Sequence, residues 1–427
     1  MISPVVEARQ KWVNARGLAH AMRSDAIDRS AWYDDLSRHN EATAPKLGAF
    51  TQTVANAPAS SVDGALAGIP IVVKDNIDVA GVVTGLGRPL SEGTPARADA
   101  ASVALLRAAG AVIFAKTNLP EFASSPITYN PTNGPARNPH DLDRTAGGSS
   151  GGSAAAIAAD LAVVGIGTDT GGSVVVPAAL TGVYGFRPTY GSISTDGVFP
   201  LSWSMDTVGI FAIDPDDVRL VRDVLVQAHD HATTARRSGD GPVRIGIPRS
   251  WLVNVSGYVS DAFDTAIQRL REQGHEIVDV TTSPADKIMA NARVIHFSEA
   301  AAAFDELPEA ATPYAEAVEY RRVTGFGISG PDYARARQNQ RRWRAELTRI
   351  LDDVDFIVCP TSPIVAPRIG EFSDEEGLEL VRFAYPFCFA GVPALSVPCP
   401  VSGMPVGMTL VTGWGGDDRL LDFAERL

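Results

Sequence analysis

The sequence predicts an α/β fold whose central, mixed and mostly parallel twisted sheet is flanked by helices on both faces. A helical pattern at 99–109 ends at Gly110 and is followed by an apolar strand at 111–115. The same order of helix and strand recurs at 258–280 and at 332–359. Parallel strands need crossover connections, which helices usually supply. This alternation therefore indicates a buried sheet covered by helices.

The remaining elements follow from local patterns. Charges interrupt the apolar positions of residues 1–26, which predicts an amphipathic helix rather than a signal peptide or a membrane span. The run at 153–167 contains Asp160 and glycines, and it predicts a core helix followed by a buried strand. The polar, Gly-rich stretch at 231–242 predicts a linker.

Composition narrows the class of protein. The chain has 427 residues, of which 45% are hydrophobic, so it can bury a large core; length alone would predict two or three domains. A net charge of −13 disfavours nucleic acids and anionic membranes as partners, and it predicts a cytoplasmic protein. For the arginine-rich helix at 334–344, this charge favours a solvated or salt-bridged face over a nucleic-acid contact. Cys359, Cys388 and Cys399 lack the spacing of a disulfide framework or a zinc site, so we expect buried thiols and no metal.

Lys74 is the first candidate for chemistry. It lies in the apolar segment GIPIVVKDNIDV at 68–79, which predicts a buried strand. Burial disfavours the charged ammonium and lowers its pKa, which leaves an amine that can accept a proton near neutral pH. The alternative is a structural lysine that pairs with Asp75 or Asp78.

Two Gly-Ser clusters, GGSSGGS at 147–153 and TDTGGS at 168–173, are the second candidate. The first cluster precedes a helix-forming run, so its amides lie at a helix N-terminus rather than in a flexible linker. It lacks the lysine of a phosphate-binding loop. It also fits GxSxG, but the polar residues before Gly147 do not predict the strand that a nucleophile elbow needs. A triad with one of the seven histidines stays open, and His140 is the histidine nearest to these motifs.

Together these motifs resemble the amidase signature family, serine hydrolases with a Ser-Ser-Lys triad. The resemblance extends through KTNLPEF at 116–122, PAALTGVYGFRPTYG at 177–191 and FAGVPALSVP at 389–398. It implies one domain over 1–427, with N-terminal helices at 1–60, a core with the triad at 61–230 and substrate walls at 243–427. It also implies that Lys74 is the base, Ser149 the bridging serine after a cis peptide bond, and Ser173 the nucleophile.

The implied mechanism needs neither a metal nor an organic cofactor. Lys74 takes the proton of Ser173 through the Ser149 hydroxyl, which can both donate and accept. Ser173 then attacks the carbonyl and forms an acyl-enzyme. The backbone amides of Thr170, Gly171, Gly172 and Ser173 are the expected oxyanion donors, since glycines allow close approach of the substrate.

The substrate prediction rests on a departure from the family. Members usually carry an arginine shortly after the nucleophile, whereas Val174, Val175 and Val176 follow Ser173. We therefore expect a neutral, apolar or aryl small-molecule amide, anilide or carbamate as substrate. We also expect a free-standing enzyme without nucleic-acid or membrane partners, with a homodimer left open. The candidate substrate-binding residues are Ser125, Val175, Val176 and Trp203.

Alternatives to this prediction remain. Arg144 or Arg187 would restore anion binding if either one reached the pocket. A second class of function is the glutaminase subunit of a complex that charges tRNA. A third, a non-catalytic scaffold, is disfavoured because Lys74, Ser149 and Ser173 are all present.

Overall fold

The computed structural model describes residues 14–54, 64–226, 241–307, 312–371 and 374–427. The strands in these ranges are β1 Phe50–Thr53, β2 Pro70–Lys74, β3 Val112–Thr117, β4 Tyr129–Asn130, β5 Gly134–Pro135, β6 Arg137–Asn138, β7 Asp141–Thr145, β8 Val164–Asp169, β9 Tyr184–Arg187, β10 Thr207–Ala212, β11 Arg244–Ile247, β12 Glu276–Asp279, β13 Phe356–Pro360, β14 Ala394–Pro398 and β15 Gly407–Val411. The helices are α1 Ala15–Arg23, α2 Arg29–Leu47, α3 Ala101–Ala108, α4 Gly151–Ala158, α5 Val175–Thr181, α6 Pro215–Leu225, α7 Gly257–Glu272, α8 Ala285–Asp305, α9 Glu316–Phe326, α10 Gly330–Asp353, α11 Asp374–Leu380, α12 Tyr385–Ala390 and α13 Asp417–Ala424.

Within the described ranges, one 11-stranded sheet has the order β1-β3-β2-β8-β10-β9-β14-β15-β13-β11-β12. Parallel pairing joins β3, β2 and β8 near one edge and β12, β11 and β13 at the other. Antiparallel pairing joins the strands between these two blocks. The predicted α/β class and the mixed sheet in a single domain are confirmed. The central strands add more antiparallel pairing than the helix and strand alternation indicated, because β14 and β15 follow each other without a crossover helix.

The predicted helix and strand units are present with small shifts at their ends. The helix expected at 99–109 is α3, and the strand after it is β3. The run at 153–167 forms the end of α4 and most of β8. In the N-terminal segment, α1 is amphipathic from Ala15 onward, while residues 1–13 lie outside the described residues. The predicted linker at 231–242 lies outside them except for its last two residues.

The buried apolar side chains of the described residues form several hydrophobic clusters. One cluster of buried side chains includes residues as distant in sequence as Leu18, Val208, Phe263 and Phe423. The three cysteines are buried as free thiols. No helix in the described ranges combines the length and apolarity needed to cross a membrane. Strands β2 and β8 are neighbours in the sheet, so the loops that follow them begin close together.

Candidate active site

Lys74 is the last residue of β2, and its side chain is fully buried. Its Nζ lies 2.6 Å from Ser149 Oγ and 2.9 Å from Thr168 Oγ1. Burial lowers the pKa of Lys74 to about 7, although the negative charges of Asp169 and Asp206 act in the opposite direction. The amine is therefore uncharged in a large fraction of molecules near neutral pH.

The neighbouring carboxylate of Asp75 does not pair with Lys74. Its Oδ1 lies 2.8 Å from Nζ of Lys116, a second buried lysine on β3. The other carboxylate oxygen accepts a hydrogen bond from Thr51 Oγ1 at 2.9 Å. Lys74 instead contacts hydroxyl groups, which agrees with the interpretation of this lysine as a base rather than as a structural ion-pair partner.

Ser149 follows a cis peptide bond with Gly148, and both residues are buried. A side chain at Gly148 would meet the backbone of Ile127 and Thr128 at 2.8 to 2.9 Å, which explains the need for glycine. The chain then enters α4 directly. Ser149 Oγ is thereby held against the lysine.

The Asp169 carboxylate organises the loop that carries Ser173. It accepts hydrogen bonds from the backbone N–H groups of Gly172 at 2.9 Å and Val174 at 2.7 Å. The buried guanidinium of Arg187 lies 3.0 Å from the same carboxylate. These contacts fold the loop tightly enough that Gly172 adopts a φ of +112°, a conformation suited to glycine.

The geometry of this loop excludes Gly172, one of the predicted oxyanion donors. The N–H of Gly172 already donates to Asp169, so it is not available to a substrate oxygen. The amides of Thr170, Gly171 and Ser173 donate no hydrogen bond within the described part of the chain. The Thr170 side chain is fixed by donating from Oγ1 to Asp206 at 2.5 Å.

A pocket lies beside Ser173. The residues lining it include Ser125, Thr170, Gly171, Ser173, Arg293, His296, Arg321 and Tyr385. Thus Ser125, Thr170 and Gly171, predicted from sequence, lie with the predicted nucleophile at one opening. In the described ranges, no group of three His, Cys, Asp or Glu side chains is arranged to hold a metal ion.

Three predicted substrate-binding residues are placed elsewhere. Val175 and Val176 are buried in the core behind the loop, because α5 starts at Val175 and turns these side chains towards the protein interior. Trp203 is 51% exposed and does not line this pocket. Neither valine therefore lines this pocket.

The cations of the pocket come from helices that the sequence motifs did not indicate. Arg293 lies on α8 and Arg321 on α9, and their guanidinium groups lie 5.1 and 5.3 Å from the ring centre of Phe297. Neither arginine suggested for anion binding reaches the pocket: Arg187 pairs with Asp169, and Arg144 binds Asp141 and the carbonyl of Ala366. In the sequence, the only signal for Arg293 was its position, together with His296, within the otherwise apolar segment ARVIHF at 292–297.

His296 is another pocket residue that the motifs missed. Its Nδ1 and the Tyr385 hydroxyl share a short hydrogen bond. Burial lowers the pKa of His296 well below its usual value, and the nearby charges of Arg321 and Arg293 add to this effect. His140, considered for a histidine triad, contacts the carbonyl of Thr181 and does not line the pocket.

The chain is similar to several known proteins. A curated relative, a Glutamyl-tRNA(Gln) amidotransferase subunit from Methanospirillum hungatei JF-1, is 34% identical over 85% of this chain and 92% of its own length. The crystal structure of the corresponding amidotransferase subunit from Thermotoga maritima has a TM-score of 0.80 and 31% identity, covering 91% of this chain and 89% of that one. The structure of 6-aminohexanoate cyclic dimer hydrolase has a TM-score of 0.88 and 27% identity, covering 97% and 96%.

These relatives correct the expected function and partners. A free-standing hydrolase for a neutral, apolar or aryl amide, anilide or carbamate was the wrong prediction, because curated relatives over most of the chain are amidotransferase subunits. The expectation of a small-molecule partner without nucleic acid was wrong for the same reason, since the relatives' name refers to tRNA and to a subunit. The net charge was a poor basis for predicting partners, because it sums the charges of the whole surface and does not show how they are distributed locally.

The family itself follows from a match along most of the sequence. The model of the Amidase family matches residues 38–421, a range that includes the lysine, both serines and the strands that hold them. The predicted motifs at 68–79, 147–153 and 168–173 all lie inside this range. This chain therefore belongs to the amidase family and is an enzyme that acts on carbon–nitrogen bonds.

Proposed function

We propose that this chain is a glutaminase subunit, which hydrolyses the side-chain amide of glutamine and supplies the ammonia to an amidotransferase complex. The observation that carries the proposal is the pair Arg293 and Arg321 in the pocket beside Ser173. Two cations in a half-buried site favour a substrate that bears a carboxylate. Glutamine places such a carboxylate a few bonds from its amide.

The proposed chemistry starts from the neutral amine of Lys74. When Lys74 is neutral, the Ser149 hydroxyl, whose oxygen lies 2.6 Å from Nζ, passes its proton to the amine and takes the proton of Ser173 in exchange. Ser173 Oγ attacks the amide carbon and forms a tetrahedral intermediate. Its collapse breaks the carbon–nitrogen bond, and the leaving nitrogen takes the proton back and departs as ammonia.

The second half of the reaction releases glutamate. Water attacks the acyl group on Ser173, with Lys74 again accepting the proton through Ser149. The amides of Thr170, Gly171 and Ser173 stabilise the oxyanion in both halves, because they lie on a loop that Asp169 already holds in place.

The recognition step is tested with matched substrates. We expect kcat/KM for glutamine to exceed that for glutamine methyl ester at least about tenfold, because hydrogen bonds to charged groups contribute about 1.5–3 kcal/mol. Arg293→Met and Arg321→Met should each lower kcat/KM for glutamine about 10- to 100-fold and leave the ester within about twofold. Ammonia release measures all of these rates, and Ser173→Ala gives the background.

The control for these variants is Arg322→Met, which lies on the same helix as Arg321 and pairs with Glu319 rather than lining the pocket. Equal rates for glutamine and its ester would overturn the recognition step. Much faster hydrolysis of glutaramate, which lacks the amino group of glutamine, would replace glutamine by a dicarboxylic acid monoamide. The complex is tested by mass spectrometry of the tagged chain purified from its source cells, where a chain without associated subunits would contradict the proposal.

A further inference from the structure

One buried polar atom in the pocket lacks a hydrogen-bond partner. His296 is 5% exposed and lines the pocket beside Ser173. Its Nε2 has no hydrogen-bond partner among the described residues. A buried polar atom left unpaired costs about 1–3 kcal/mol, so its retention next to a substrate site suggests that the substrate supplies the partner.

The other ring nitrogen shows how His296 is held. Nδ1 shares a hydrogen bond with the Tyr385 hydroxyl, and burial raises the pKa of Tyr385 above its usual value, so the phenol keeps its proton. The ring of Tyr385 packs so closely against Gly171 that a side-chain carbon at that position would lie 2.7 Å from it. The imidazole is thus oriented by a residue that packs against the nucleophile loop.

The number of protons on Tyr385 and His296 determines which of their atoms can donate a hydrogen bond to a substrate. A protonated phenol and a neutral imidazole carry two exchangeable protons, and their mutual hydrogen bond uses one of them. When the phenol donates to Nδ1, the second proton is on Nε2. A donor at Nε2 next to Arg293 and Arg321 is favourable once an anion lies between them, because the anion accepts from all three groups.

We propose that His296 is a substrate-binding residue whose Nε2–H donates to the substrate carboxylate held by Arg293 and Arg321, with Tyr385 as the positioning residue that fixes the imidazole. This inference rests on the proposed function for the presence of a carboxylate on the substrate. It assigns to the pocket a neutral donor besides its two cations. The neutral donor adds direction to a charge interaction that is otherwise weakly directional.

Two substitutions at His296 distinguish the role of Nδ1 from that of Nε2. In His296→Asn the side-chain amide stands near the position of Nδ1, where its oxygen can accept from the Tyr385 hydroxyl, while the donor at Nε2 is lost. In His296→Gln the amide nitrogen reaches the position of Nε2. We measure how well glutaramate and its methyl ester protect Ser173 against a fluorophosphonate label, together with the kcat and KM for glutamine.

We expect His296→Asn to weaken protection by glutaramate about tenfold or more and to raise KM more than it lowers kcat, with protection by the ester changed less than about twofold. His296→Gln should recover most of the glutaramate protection. Tyr385→Phe, which keeps the ring against Gly171, should weaken glutaramate protection by a smaller factor. His20→Asn, on an exposed position of α1, is the matched control and should leave every value unchanged.

The possible results distinguish a damaged loop, a wrong inference and a wrong proposed function. Labelling of Ser173 without competitor at the wild-type rate shows that the loop is intact in a variant. Unchanged glutaramate protection in His296→Asn, or equal losses for glutaramate and ester, would overturn the inference. Absence of ammonia release from glutamine by the chain purified together with its associated subunits, with glutaramate protection still dependent on His296, would reject the proposed function and retain the inference.

Discussion

Lys74 has a pKa lowered to about 7 because its ammonium would be fully buried. The base form is the neutral amine, so kcat/KM for glutamine should rise with pH and reach half of its plateau near pH 7. Lys74→Met should remove this limb and lower kcat/KM by several orders of magnitude. A pH–rate profile of both proteins measures this, and a limb that survives in Lys74→Met would point to another base.

The same residue links folding to pH. The pKa of Lys74 is lower in the folded protein than its ordinary value of 10.5, so the unfolded chain binds more protons between pH 7 and that value. Stability from this group therefore increases as the pH rises through this window. The Lys74→Met variant lacks this contribution, and its free energy of unfolding should rise less between pH 7 and pH 10 than that of the wild-type protein.

Asp169 acts at the scale of an element, because its carboxylate holds the loop between β8 and α5. Asp169→Asn replaces one acceptor oxygen with an NH₂ group that faces N–H donors, and it leaves the guanidinium of Arg187 buried without its counter-charge. Removing one partner of a buried pair costs about 3–5 kcal/mol. We expect a loss of that size in urea unfolding, together with a strongly reduced rate of Ser173 labelling.

The control for this variant is Asp143→Asn. Asp143 lies 3.5 Å from Arg368 in a pair that is largely exposed, and surface pairs contribute about 0–1 kcal/mol. A loss in Asp169→Asn no larger than that in Asp143→Asn would show that the loop does not depend on this carboxylate.

At this scale, elements with local sequence signals were predictable, whereas those brought to the pocket by tertiary packing were not. Strand β2 with Lys74 and helix α4 after Ser149 were predicted because apolar runs and glycines are local signals. Arg293, His296 and Arg321 were not, since α8 and α9 reach the pocket through tertiary packing. Val175 and Val176 are buried and do not line the pocket, and this was not predictable because their position after Ser173 in the sequence does not reveal which way a new helix turns its side chains.

At the scale of the whole molecule, the sheet joins the two halves of the sequence. Strand β9 pairs with β14, so residues 185–187 contact residues 394–396 in one continuous sheet. Because strands from both halves pair within this sheet, we expect the two halves to unfold together. Urea transitions followed by far-UV circular dichroism, by tryptophan fluorescence and by Ser173 labelling should coincide, and a labelling transition at clearly lower urea would mean that the site unfolds separately.

The ion pair between Asp75 and Lys116 has a consequence for the choice of base. Two lysines end buried on adjacent strands, but the interior provides a contacting carboxylate to Lys116, while among the described residues Lys74 has no ion-pair partner within 4 Å. Lys74 thus lacks the carboxylate contact that would favour its ammonium, and burial lowers its pKa to about 7. Because burial favours its neutral form, Lys74 can serve as the proposed base, a role that many hydrolases give to histidine.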